Sequence, residues 1–155
     1  MNDLILSKLE VEKVEVAELS LTGVQNIADA AATISDNVSY VNFTADVSTA
    51  RIITMPSAVA GRNFRCFWSV EQDTDSRVFT RAGSDTFAGM ITSYVAASGD
   101  GAVDNLSIAN TTVTITTLGD TNIGSHIDFF CMADGTWSVG GHLCLDAVGK
   151  IPTLA

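Results

Sequence analysis

Near the start of the chain, apolar residues fall in pairs that skip one position: Leu9/Val11, Val14/Val16 and Leu19/Leu21, with Leu4 and Leu6 ahead of them. This is the spacing of a strand with one covered face. The shift between Val11 and Val14 breaks strict alternation, and Leu9, Val16 and Leu19 would also suit a short helix. The β-branched valines and the interleaved glutamates favour an extended arm. Such an arm cannot bury its apolar side alone and has to lie on a neighbour. Residues 22–37, with Thr22-Gly23 and the small-residue run Ala28 to Ala32, read as a linker with room for one helical turn. Residues 1–37 are therefore expected to be arm and linker, and residues 38–155 the folded domain.

From Val38 onward the period is two. Tyr40 to Phe43 alternates, and Ala45 to Ser48 turn the chain. Arg51 to Met55 is a strand stopped by Pro56, which cannot donate to a ladder. Phe64, Cys66 and Trp68 share one face, with Arg65 and Phe67 opposite. Gln72 to Ser76 then predicts a hairpin turn, with Arg77 to Arg81 as the return strand. Leu106/Ile108 and Val113/Ile115 flank Asn110-Thr111 as a second expected hairpin. Ile127, Phe129 and Cys131 alternate with His126, Asp128 and Phe130, and Asp134-Gly135 marks a tight turn before Trp137 and Val139. Short strands between glycine-rich turns, with almost no helical period, mean an all-β fold: a β-sandwich or jelly-roll-like domain of short antiparallel strands with an N-terminal arm. Trp68, Phe129 and Trp137 are its expected core. No clean repeat of 20–50 residues is visible.

Composition adds an assembly habit. The 155 residues are 46% hydrophobic and only 17% charged, against about 25% charged in an average soluble domain. Surface this poor in charge is normal for a subunit that buries it against others. The net charge of −10 argues against general nucleic-acid binding. All five arginines lie between Arg51 and Arg81, whereas Asp85 to Asp146 holds seven acids and no Lys or Arg. An arginine-bearing segment in an acidic chain either docks on an acidic partner or forms local ion pairs on a solvated face. No run approaches the roughly 20 apolar residues of a membrane-spanning helix. Met1-Asn2-Asp3 opens without the basic start of a signal peptide. Cys66, Cys131 and Cys144, odd in number and far apart, suggest synthesis in a reducing cytoplasm.

Candidate chemistry is sparse. His126, Cys131, His142 and Cys144 are possible zinc ligands within nineteen residues. Alternation puts His126 and Cys131 on opposite faces, so no metal or other cofactor is expected. Asp73-Thr74-Asp75 and Asp100 to Asp104 match no twelve-residue calcium loop. No nucleophile elbow, zinc-protease or phosphate-loop motif occurs, so the chain is not read as an enzyme.

Two blocks carry a resemblance. The first is Ala50 to Phe67, ARIITMPSAVAGRNFRCF, followed by TRAGSDTFAG at Thr80 to Gly89; the second is Gly124 to Gly140, GSHIDFFCMADGTWSVG. Together they resemble a β-module of tailed-bacteriophage virion proteins, found in head decoration (cement) proteins and in tail-fibre or spike tips, commonly as trimers. It differs from that pattern in Met55 where leucine is usual and in Phe87-Ala88-Gly89 at a corner that is usually polar. About forty residues precede the module, which suits a cement protein better than a fibre with a long shaft. The resemblance implies a homotrimer on the capsid exterior, bound to the major capsid protein, without nucleic acid or membrane as partner. The contact residues expected on this reading are Leu4, Leu6, Leu9, Val11, Val14 and Val16 of the arm, with Arg51, Arg62 and Arg65. The alternatives are a fibre or spike receptor-binding tip, or a carbohydrate-binding β-sandwich using Tyr40, Tyr94 and Trp68, rings for which core packing is the simpler expectation.

Overall fold

A computed structural model describes residues 23–95, 102–112, 114–117, 121–145 and 153–155. The arm expected over residues 4–21, with its contact positions Leu4 to Val16, lies outside the described residues.

Twelve strands make up the described chain, and it contains no helix: β1 (Val24–Ile27), β2 (Ala32–Thr33), β3 (Tyr40–Phe43), β4 (Arg51–Thr54), β5 (Asn63–Trp68), β6 (Arg77–Thr80), β7 (Thr86–Val95), β8 (Ala102–Thr112), β9 (Thr114–Thr117), β10 (His126–Ala133), β11 (Thr136–Leu145) and β12 (Thr153–Leu154). They form a seven-stranded sheet in the order β1-β3-β5-β10-β11-β7-β8 and a five-stranded sheet in the order β12-β9-β6-β4-β2.

The first six strands alternate between the sheets. β1, β3 and β5 lie parallel in the larger sheet, and β2, β4 and β6 lie parallel in the smaller one. The chain thus winds around the core before β10 pairs antiparallel with β5, and β11 pairs with β10 on one side and parallel with β7 on the other. This corrects three expectations. The strands are mixed rather than antiparallel, which departs from jelly-roll pairing. Gln72 to Ser76 is not a hairpin turn but the corner that carries the chain from β5 in one sheet to β6 in the other. Asn110-Thr111 lies inside β8 rather than between two strands. The presumed linker also changes character, because residues 24–33 supply an edge strand to each sheet and Ile27 and Ile34 are buried.

Alternation explains which side chains meet. Val41 and Phe43, Phe64, Cys66 and Trp68, and Ile127, Phe129 and Cys131 all point inward from the larger sheet and are buried. Ile53, Phe79 and Ile115 point inward from the smaller sheet. Phe79 joins the layers, with its ring 5.5 Å from Phe129 and 6.0 Å from Phe43. Phe64 stacks on Phe129 at 5.1 Å and meets Trp137 edge-on at 5.3 Å, separations typical of favourable aromatic pairs. The three expected core aromatics are thus in place. Trp68 is 1% exposed and its indole N–H donates to Gln72 Oε1 at 3.2 Å. The Asp134-Gly135 turn joins β10 to β11 as a two-residue hairpin loop, with Ala133 opposite Thr136 and Gly135 at φ 86°. A positive φ at a loop residue is what glycine permits.

Candidate functional site

On the outer face of the larger sheet, β3, β5 and β10 place Tyr40, Arg65 and Asp128 directly opposite one another in a single row. Alternation sends each outward, since Val41 after Tyr40, Phe64 and Cys66 around Arg65, and Ile127 and Phe129 around Asp128 fill the core. Arg65 donates from Nε to Asp128 Oδ1 at 2.6 Å and from Nη2 to Oδ2 at 3.0 Å. This two-point pairing holds both groups in one plane, and the Asp128 carboxylate raises the Arg65 pKa. Both side chains remain nearly half exposed. With Ser39 and Asn63 they line an open depression of about 510 Å³. Tyr40, 49% exposed, is part of the same lining.

The tyrosines were expected in the core; Tyr40 and Tyr94 are instead exposed, and only Trp68 is buried. The signal was present, since the alternation that sends Val41 and Phe43 inward sends Tyr40 out. Asp128 cannot be read from the sequence as the partner of Arg65, because the sequence does not reveal which strand lies beside β10.

Three of the five arginines, Arg51, Arg62 and Arg65, pair with acids of the same chain. Arg51 Nε donates to Asp29 Oδ1 at 2.6 Å, and this contact, with help from Ser48, holds the Asp29 carboxyl well below the usual range. Arg62 lies 3.1 Å from Asp36 and donates to the Ser57 carbonyl at 2.6 Å. Arg81 donates to the Asp85 carbonyl. Arg77 is enclosed in the core, with its guanidinium 4.1 Å above the Phe43 ring and Nη2 donating to the Ala45 carbonyl at 2.7 Å. Burial pushes its pKa down to about 10, which leaves it charged at neutral pH.

His126 and His142 face each other across β10 and β11, while Cys131 points into the core on the opposite side. Burial pushes the Cys66 and Cys131 thiols up, so both are protonated and unreactive at neutral pH. Among the described residues no three His, Cys, Asp or Glu side chains gather into a group able to hold a metal ion.

The outer face of the smaller sheet has a different character. Thr33, Thr54, Thr80 and Thr114 lie in one row across four strands, and Ile52, Val78 and Thr116 lie in the next. Neighbouring side chains along such rows are spaced about 4.8 Å apart. The strand positions of this face carry no charge, and Ile52 is 54% exposed.

No known protein family matches the chain, and no curated protein or solved structure shows significant similarity to it.

Proposed function

We propose that the protein is a structural component of a phage virion: a homotrimeric decoration protein that binds the major capsid protein on the outside of the head and stabilises the shell. The observation that supports it best is the uncharged, β-branched outer face of the five-stranded sheet. On a chain of net charge −10, copies repel one another through most of their surface. A face built of Thr, Val and Ile is where subunits can approach without burying an unpaired charge. The pairing of Arg51, Arg62 and Arg65 with acids of the same chain favours apolar packing over ionic docking as the mode of attachment. Clamping would be non-covalent: each trimer adds buried area across neighbouring capsid subunits and so opposes the outward pressure of packaged DNA.

The test has two parts. Light scattering on the purified chain should give three times the 16.3 kDa protomer mass, and electron micrographs of particles carrying the protein should place it on the outer shell. A monomer at micromolar concentration, or density at the tail tip alone, overturns this reading. The tail-tip result would favour the receptor-binding alternative, which the depression beside Tyr40 supports.

A further inference from the structure

Tyr40, Arg65 and Asp128 do nothing evident for the fold. The core beneath them is complete without their side chains, and half-exposed ion pairs add little stability. What the row does offer is an aromatic ring standing next to a set of fixed polar atoms in an open depression.

We propose that this depression binds a neutral saccharide, with a pyranose ring against Tyr40 and its hydroxyls on the Arg65–Asp128 pair. Three properties of the site select that class. The first is the mixture of surfaces. A pyranose has apolar C–H patches that suit a ring face and hydroxyls around its rim, and tyrosine serves such half-apolar, half-wet contacts well.

The second is the hydrogen-bonding inventory. Arg65 spends Nε and one N–H of Nη2 on Asp128, so Nη1 and the second Nη2 hydrogen point elsewhere, and each Asp128 oxygen keeps a lone pair. Donors and acceptors therefore sit side by side, as adjacent sugar hydroxyls require, since each hydroxyl both gives and accepts. The two groups already hold each other in position, so little ordering cost remains to be met on binding.

The third is charge. The pair cancels itself, so no uncompensated cation faces the depression, and the chain as a whole is strongly acidic. Phosphates, carboxylated sugars and acidic peptides are repelled rather than drawn in. The depression is open rather than enclosed, so a sugar ring would be held against one face and stay partly in water, as a weak surface site requires.

The test is a titration of the ¹⁵N-labelled full chain with the methyl glycosides of glucose, galactose, mannose and N-acetylglucosamine, and with N-acetylneuraminic acid as the anionic probe. At least one neutral glycoside should shift the amide signals of Tyr40, Arg65 and Asp128 with a Kd of about 1 mM, a weak affinity suited to an open site. Tyr40→Ala should weaken that binding by about tenfold, worth about 1.4 kcal/mol, and leave the five-stranded sheet's amide signals unmoved. Tyr40→Phe should retain most of it. The proposal fails if no neutral glycoside shifts those signals at about fifty times that concentration, if the shifts map elsewhere, if Tyr40→Ala binds as tightly as the parent, or if N-acetylneuraminic acid binds best.

Discussion

At the scale of single residues, Arg77 is the least expected feature. Alternation places it on the inward face with Phe79, yet its side chain is a cation that a sequence reading assigns to solvent. The structure tolerates it because the guanidinium lies over the Phe43 ring and donates to the carbonyls of Ala45 and, at 3.4 Å, Ala28. Those carbonyls belong to loops that close the ends of β1 and β3, so the buried charge ties two crossovers to the core. Its Nε has no partner among the described residues, so the charge is only partly compensated. Removing the side chain should be costly, because it leaves a cavity and orphans two carbonyls. Arg77→Ala is expected to lower stability by about 3–5 kcal/mol. Arg77→Met, which refills the space without a buried charge, should cost clearly less. Urea unfolding of the two variants checks this; equal losses would mean that the cation itself, and not its volume, holds the loops. The same scale shows what was legible. Trp68, Phe129 and Trp137 declare themselves by large apolar bulk in strict alternation. Tyr40 and Arg65 reveal only their face, since the residue across the sheet is set by register, which a lone sequence does not display.

Among the elements, the limit of a sequence reading is pairing. Every strand from β3 to β6 was recognisable from its period of two, and so was the β10–β11 hairpin, because a two-residue Asp-Gly loop admits few other outcomes. Gln72 to Ser76 misleads because polar turn residues serve a hairpin and a sheet-to-sheet corner equally well. Here Asp46 decides the matter. Its carboxylate accepts hydrogen bonds from the Thr74 hydroxyl at 2.6 Å and from the amides of Asp73, Thr74 and Val47, fastening this corner to the β3–β4 loop. Parallel neighbours add a second demand, close backbone approach. Gly89 of β7 lies at φ 143°, and a Cβ built there would sit 1.9 Å from the Val139 carbonyl oxygen of β11. Gly83, at φ 52°, has open space instead. Gly89→Ala should therefore cost about 2–4 kcal/mol, since backbone must move, whereas Gly83→Ala carries only the left-handed backbone cost of about 1–2 kcal/mol. Thermal melting of the two variants separates these effects; equal shifts would mean that β7 and β11 part without penalty.

For the whole molecule, charge bears on acid stability and on the proposed association. Burial opposes ionisation of Asp46, but the hydrogen bonds from Thr74, Val47 and Asp73 outweigh it and lower its pKa. Asp29 is lowered as well, chiefly by Arg51. As pH falls, the unfolded chain takes up these protons near 3.8 while the folded chain resists, so the stabilisation is complete above that value and is lost as pH drops below it. Asp46→Asn should cost about 1 kcal/mol at neutral pH and make the loss of stability below pH 4 less steep; an unchanged acid limb would show that the clasp carries no linkage. The proposed association would use the face where charge is missing. The rows Thr33-Thr54-Thr80-Thr114 and Ile52-Val78-Thr116 form a face on which an acid chain can meet its own copy, and Val78 lies near its middle, flanked by Ile52 and Thr116. Val78→Asp leaves the core untouched, because the side chain points outward. In a trimer it would place three carboxylates at a buried contact, each without a partner, at a cost of several kcal/mol per charge. If the proposed trimer forms through this face, the variant should keep its β-type circular dichroism and sediment as a monomer at concentrations where the parent associates. A Val78→Asp variant that associates as the parent does, with unchanged stability, would rule out the smaller sheet as the proposed subunit contact.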